Sequence, residues 1–92
     1  MHDLKCRPGV ILTEIHGVYL LAADREARAH CPYLREINEL GAFIWSRLSE
    51  GVSRDEMIDL IRQEFEVPED TDLGTDLDEF IESLKEDHYI SQ

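Results

Sequence analysis

The stretch LREINELGAFIW, residues 34–45, decides how this chain is built. A short extended run, entered after the break at Pro32, reaches Ile37 and meets Asn38. An asparagine amide accepts well from a backbone N–H of a first helical turn, so Asn38 reads as an N-cap. Helical spacing starts at once, with Leu40, Ile44 and Leu48 on one face, Phe43 beside them and Trp45 on the flank. A strand therefore ends and a helix begins across a single residue. The stretch holds no nucleophile, metal cluster or phosphate loop, so whatever uses it uses the joint itself.

Toward the N-terminus, VILTEI (Val10–Ile15) is β-branched and apolar, and VYLLA (residues 18–22) answers it. His16 and Gly17 between them form an X-Gly pair of the kind that closes a tight hairpin, with glycine supplying positive φ. Residues 1–9 read as an irregular lead-in ended by Pro8 and Gly9. Residues 23–32, ADREARAHCP, have helical propensity without an apolar face and read as a solvated helical turn or a loop.

Toward the C-terminus, the first helix runs from Glu39 to about Glu50, where Gly51 stops it. Ser53-x-x-Glu56 is a capping box, flanked by a Val52–Met57 hydrophobic staple. Met57, Ile58, Ile61 and Phe65 form the stripe of this second helix, and Pro68 prevents its continuation. A third helix covers residues 73–86, capped by Asp72 or Thr75, with Leu77, Phe80, Ile81 and Leu84 as its apolar face. His88, Tyr89 and Ile90 return to extended character. The expected fold is α+β: a three-stranded antiparallel sheet followed by three helices, winged helix-turn-helix-like, as one domain over residues 1–92.

Composition narrows the function. The 92 residues carry 9 basic and 21 acidic side chains, a net charge of −12. That field repels nucleic-acid phosphates and anionic membranes. Read as a DNA binder, the chain would place its third helix in the groove, and LGTDLDEFIESLKED, that helix with Asp87 after it, carries six carboxylates against Lys85. The opening MHDLKCRPG lacks the apolar core of a signal peptide, and no apolar run approaches the ~20 residues of a membrane span. Two cysteines, Cys6 and Cys31, suit reduced thiols and a cytoplasmic setting. Neither they nor the four histidines show the close ligand pairs of a zinc site. The serines lie in helices or caps rather than on a nucleophile elbow, so catalysis and cofactors are not expected. TDLGTDLDEF has a carrier-protein look, but Leu77 stands after Asp76 where a carrier needs its serine.

The order of the pieces carries a resemblance. Ile37-Asn38, then Gly41-Ala42-Phe43-Ile44-Trp45, then Gly51-Val52-Ser53 through Phe65, then Asp76-Leu77-Asp78-Glu79-Phe80-Ile81-Glu82-Ser83-Leu84 resemble the PqqD-like family over about residues 8–90. These are small peptide chaperones of pyrroloquinoline quinone synthesis. Their fold recurs as the recognition element for ribosomally made, post-translationally modified peptides. Two features depart from the pattern: residues 23–32 are longer than a plain turn, and His88 stands where the family often has glycine. The resemblance implies that a precursor's leader adds as a strand beside residues 33–37, its apolar side chains entering the groove before the third helix. On this sequence the implied contacts are Tyr33, Leu34, Arg35, Glu36 and Ile37 on the strand, with Leu77, Phe80, Ile81, Leu84 and Lys85 on the helix. Arg35 and Lys85, if both flank the groove, would select an acidic leader side chain. The implied partners are the precursor peptide and a modifying enzyme, often a radical S-adenosylmethionine protein. An open edge strand also allows a homodimer. The alternative is an acidic winged-helix regulatory protein that binds another protein and not DNA.

Overall fold

A computed structural model describes residues 4–91. Strands β1 (Lys5–Cys6), β2 (Val10–Ile15), β3 (Val18–Ala23) and β4 (Leu34–Ile37) precede helices α1 (Glu39–Leu48), α2 (Arg54–Glu64) and α3 (Leu73–Glu86); β5 (Ile90–Ser91) ends the described chain. The main sheet is antiparallel in the order β2-β3-β4. The expected α+β architecture of three strands and three helices is therefore present. Of the expected irregular lead-in, residues 1–3 lie outside the described residues, and the rest is not wholly irregular: Lys5 and Cys6 pair with Ser91 and Ile90 in a second, two-stranded sheet. Two-residue strands have no periodicity to read, so long-range pairing alone defines them.

Each boundary has a local cause. In the β2–β3 hairpin both turn residues take positive φ, His16 at 51° and Gly17 at 81°. This suits a two-residue turn whose twist matches its strands, and it places a non-glycine residue in the left-handed region beside the expected glycine. Asn38 caps α1, its Oδ1 accepting from the Gly41 N–H at 2.7 Å. Ser53 caps α2 by accepting from the Glu56 N–H at 3.1 Å. Asp72, rather than Thr75, caps α3: it accepts from the Thr75 N–H at 3.0 Å and from the Thr75 hydroxyl at 2.6 Å. The 23–32 connection contains one 3-10 turn, Ala27–Ala29, with Asp24 accepting from the Ala27 N–H at 2.9 Å. It is less solvated than its composition indicates, because Ala27 and Cys31 are both buried.

The helices cover one face of the main sheet. Leu21, Ala23 and Ile37 from that face meet Met57, Ile61, Leu77 and Leu84, all buried. Trp45, on the flank of the α1 stripe, is itself buried in this core, whereas Leu40 and Phe43 are half-buried. On α3 the buried stripe is Leu73, Leu77, Ile81 and Leu84, which moves Phe80 to its border. The opposite sheet face is bare. Ile11, Ile15, Val18 and Leu34 project there, and Ile11 is 62% and Leu34 50% exposed.

After α3 the chain reverses through His88, whose φ is 63°. Its N–H reaches the Lys85 carbonyl at 3.0 Å, and the Tyr89 N–H reaches the Leu84 carbonyl at 2.9 Å. This is a left-handed helix stop, and it explains why a glycine is at home at this position. Tyr89 then buries fully and donates from its hydroxyl to the Pro32 carbonyl at 2.8 Å, tying the tail to the entry of β4.

Two stability predictions follow from these ends. A side chain in the left-handed region costs roughly 1 kcal/mol, so His88→Gly is expected to raise the thermal midpoint by about 4–8 °C for a domain of this size. Scanning calorimetry of the two proteins checks it. The hydrogen bonds from the Thr75 hydroxyl and N–H lower the Asp72 pKa below 3.8. A carboxylate with a depressed folded pKa stabilises above its unfolded pKa, and that contribution fades as pH falls through the folded value. Asp72→Asn should therefore be less stable than the parent near neutral pH, and the gap should close as pH falls below 3.8. Urea unfolding between about pH 6 and about pH 2 measures the gap.

Candidate functional site

Strand β4 is an edge, since β3 pairs with it on one side and nothing among the described residues pairs on the other. The Ala23 N–H donates to the Tyr33 carbonyl at 2.8 Å, which fixes the parity of the ladder. Antiparallel pairing alternates the direction of backbone groups. With Leu21 opposite Arg35 and Tyr19 opposite Ile37, the groups of Arg35 and Ile37 face β3. Those of Leu34 and Glu36 face outward, leaving two N–H and two C=O groups for a guest strand.

The pleat sends the Arg35 and Ile37 side chains toward the helices, and Leu34 and Glu36 to the bare face. Ile37 buries in the core. Arg35, two positions earlier, reaches α3 instead: its guanidinium donates to Ser83 Oγ at 2.8 Å and to Asp87 Oδ2 at 3.1 Å. It also lies 6.0 Å from the centroid of the Phe80 ring. Ser83 in turn donates to the Phe80 carbonyl at 2.8 Å. The wall facing β4 is thus a row of Phe80, Ser83 and Asp87 at helical spacings of three and four.

Beyond Phe80 the groove opens into a cleft of about 220 Å³ between α1 and α3, lined by Leu40, Gly41, Ile44, Asp76 and Leu77 among others. Gly41 makes room for it. A Cβ there would stand 3.0 Å from Phe80 Cζ and 3.2 Å from Phe80 Cε1, displacing the ring.

The structure thus brings Arg35 and Phe80 together at one groove, with the outward backbone groups of Leu34 and Glu36 along its edge, while the Leu34 and Glu36 side chains go to the bare face and Ile37 to the core. Leu77 reaches both the cleft and the core, while Ile81 and Leu84 are core residues. Tyr33 lies just before β4, exposed, with the Arg28 guanidinium 3.6 Å from its ring centroid. Lys85 does not join Arg35. It follows Phe80 by five positions, about 140° around the helix, and pairs with Glu82 at 3.4 Å. Ser83, Asp87, Asp76 and Gly41 were not expected at the site. The first three share the polar flank of α3 next to Phe80, and the inward parity of Ile37 already directed Arg35 toward that flank.

No charged side chain among those described is fully buried, and no group of three His, Cys, Asp or Glu side chains is arranged there to hold a metal ion. Burial raises the pKa of the Cys31 thiol, which donates to the Ala27 carbonyl at 3.1 Å. Burial raises that of Cys6 as well. No helix among the described residues is long and apolar enough to cross a membrane.

The fold has counterparts among solved structures. Two solved structures share the fold. TbiB1 in complex with the TbiA(β) leader peptide is 24% identical with a TM-score of 0.72, the match covering 95% of this chain and 94% of that one. Lasso peptide synthetase B1 complexed with the leader peptide is 23% identical with a TM-score of 0.76, covering 98% and 99%. No curated protein matches the sequence. The family model for coenzyme PQQ synthesis protein D matches residues 33–90, from the entry of β4 through α3 to the tail, which is well over half of the chain. The chain belongs to the PqqD family.

Proposed function

We propose that this protein is a non-catalytic peptide-binding module that captures the leader of a ribosomally made precursor and presents it to a modifying enzyme. The observation that carries the reading is the open β4 edge beside the Phe80–Ser83–Asp87 wall of α3. Strand addition uses backbone hydrogen bonds for affinity and pockets for alternate side chains for selectivity. The outward groups of Leu34 and Glu36 supply the first, and the cleft past Phe80 supplies an apolar pocket for the second. The leader-bound neighbours of the same fold support the assignment. A radical S-adenosylmethionine protein is one class of partner enzyme that such a module serves.

Selectivity in this reading rests on Arg35. The guanidinium is already shared between Ser83 and Asp87, so an acidic leader side chain competes with Asp87 for it. Lys85 is engaged elsewhere and contributes only to the local field.

Amide-shift titration with leader peptides from precursor genes beside its own tests the proposal. Shifts should concentrate at residues 34–37 and 80–87. Glu36→Pro removes an outward N–H at an edge position that tolerates proline, and should weaken binding at least tenfold with the dispersion of the spectrum retained. Arg35→Ala should weaken leaders with an acidic residue at the groove more than those without one. Shifts elsewhere, or none up to about 1 mM peptide, would overturn the assignment.

A further inference from the structure

The main sheet has a second open edge. Val10, Leu12 and Glu14 stand opposite Ala23, Leu21 and Tyr19. Because the Ala23 N–H is turned to β4, ladder alternation gives the β3-facing groups of β2 to Ile11, Thr13 and Ile15. The Val10 N–H is taken by the Arg7 carbonyl at 3.2 Å. Those of Leu12 and Glu14 have no backbone partner among the described residues, so β2 offers its own pair of outward N–H and C=O groups.

This edge also has a groove. A cleft of about 300 Å³ separates the hairpin from α1 and the end of α2. Its apolar floor is Leu12, Tyr19, Phe43 and Phe65, and the last two rings meet edge-to-face at 5.5 Å. All four are only half-buried, so the floor is open to a guest.

Charge says what the guest is. Glu39 and Glu64 line the cleft and Glu14 stands on the strand beside it, all exposed. The one cation in the lining, Arg47, is engaged by both carboxylate oxygens of Glu50 at 2.9 and 3.1 Å. Glu14, Glu39 and Glu64 have no ion-pair partner among the described residues. Their field reaches the Tyr19 hydroxyl, whose pKa is raised by Glu14 first, then by burial and by Glu39. A second copy of this chain brings another −12 to the same place, which disfavours self-pairing. A strand whose groove-facing side chains are apolar over the floor and Lys or Arg at the rim satisfies both features, because floor and rim lie on the same side of the sheet.

We infer that the β2 edge is a second strand-docking site, taking an extended segment of a protein partner whose groove-facing positions, every second residue, carry an apolar side chain flanked by Lys or Arg. The inference goes beyond the leader reading and is independent of it, because the two edges lie on opposite sides of β3. If the leader holds β4, the β2 edge is free for the enzyme at the same time.

The test is an amide-shift titration of the full chain with a short capped peptide that carries lysine, valine and lysine at alternate positions, on one face, with threonine between them. Shifts should fall at residues 12–15, 43 and 64–65 and weaken with added salt. The counterpart with glutamate in place of lysine should give none. Glu14→Pro should reduce affinity at least tenfold. The valine–lysine peptide fully N-methylated, which leaves the protein untouched, should fail to bind. Shifts at residues 34–37 instead, equal binding of the glutamate peptide, or no shift up to about 1 mM would each overturn the site. So would shifts at residues 12–15 that grow with the concentration of the protein alone, since the occupant would then be a second copy. A leader titration at residues 34–37 reads the other edge, so failure of either proposal is seen separately.

Discussion

The hydrogen bond from the Gly41 N–H to Asn38 Oδ1 is the hinge on which the architecture turns. It stops β4 and starts α1 without a linker, so Ile37 enters the core just before the helix leaves the sheet. Because α1 begins there, Gly41 lies against the Phe80 ring of α3. Phe80 is consequently both the border of the core and the corner of the groove. A loop in place of this joint would free the strand from the helix that faces it. N-caps of this kind contribute about 1 kcal/mol, but here the positional effect exceeds the energetic one.

A second tie acts at the other end of β4. Tyr89, buried after the left-handed turn at His88, holds the Pro32 carbonyl, and the Arg7 N–H holds the Tyr89 carbonyl at 2.8 Å. The tail, the lead-in and the entry to β4 therefore share one anchor. Between these ties Arg35 crosses to α3. An edge strand held at both ends and in the middle is pre-organised for pairing, so a guest need not order it, and that entropy is not lost on binding.

Much of this was legible in residues with a single job. Asn38, Ser53, Gly51 and Pro68 punctuate the helices because capping, left-handed turns and proline act locally. The hairpin was legible for the same reason. Packing direction was less so. Trp45 and Phe43 are neighbours of similar bulk, and only tertiary packing decides that the indole is buried while the phenyl ring stays half-buried. On α3, Leu73 completes the buried row and so rotates Phe80 outward and carries Lys85 to the far flank. An apolar stripe read from residues 77, 80, 81 and 84 alone lacks that fourth point. The β1–β5 pairing had no sequence signal at all, being two residues on each side.

The one-sided sheet bears on how the protein behaves in concentrated solution. Ninety-two residues supply enough helix to cover one face, and the other keeps Ile11, Ile15, Val18 and Leu34 in water. Such a face would stack on its own image were it not for the −12 charge that each copy carries. Colloidal stability is thus electrostatic rather than built into the surface chemistry. It holds near neutrality and vanishes close to the isoelectric point, about pH 4.5, where the acidic helices no longer keep the bare faces apart.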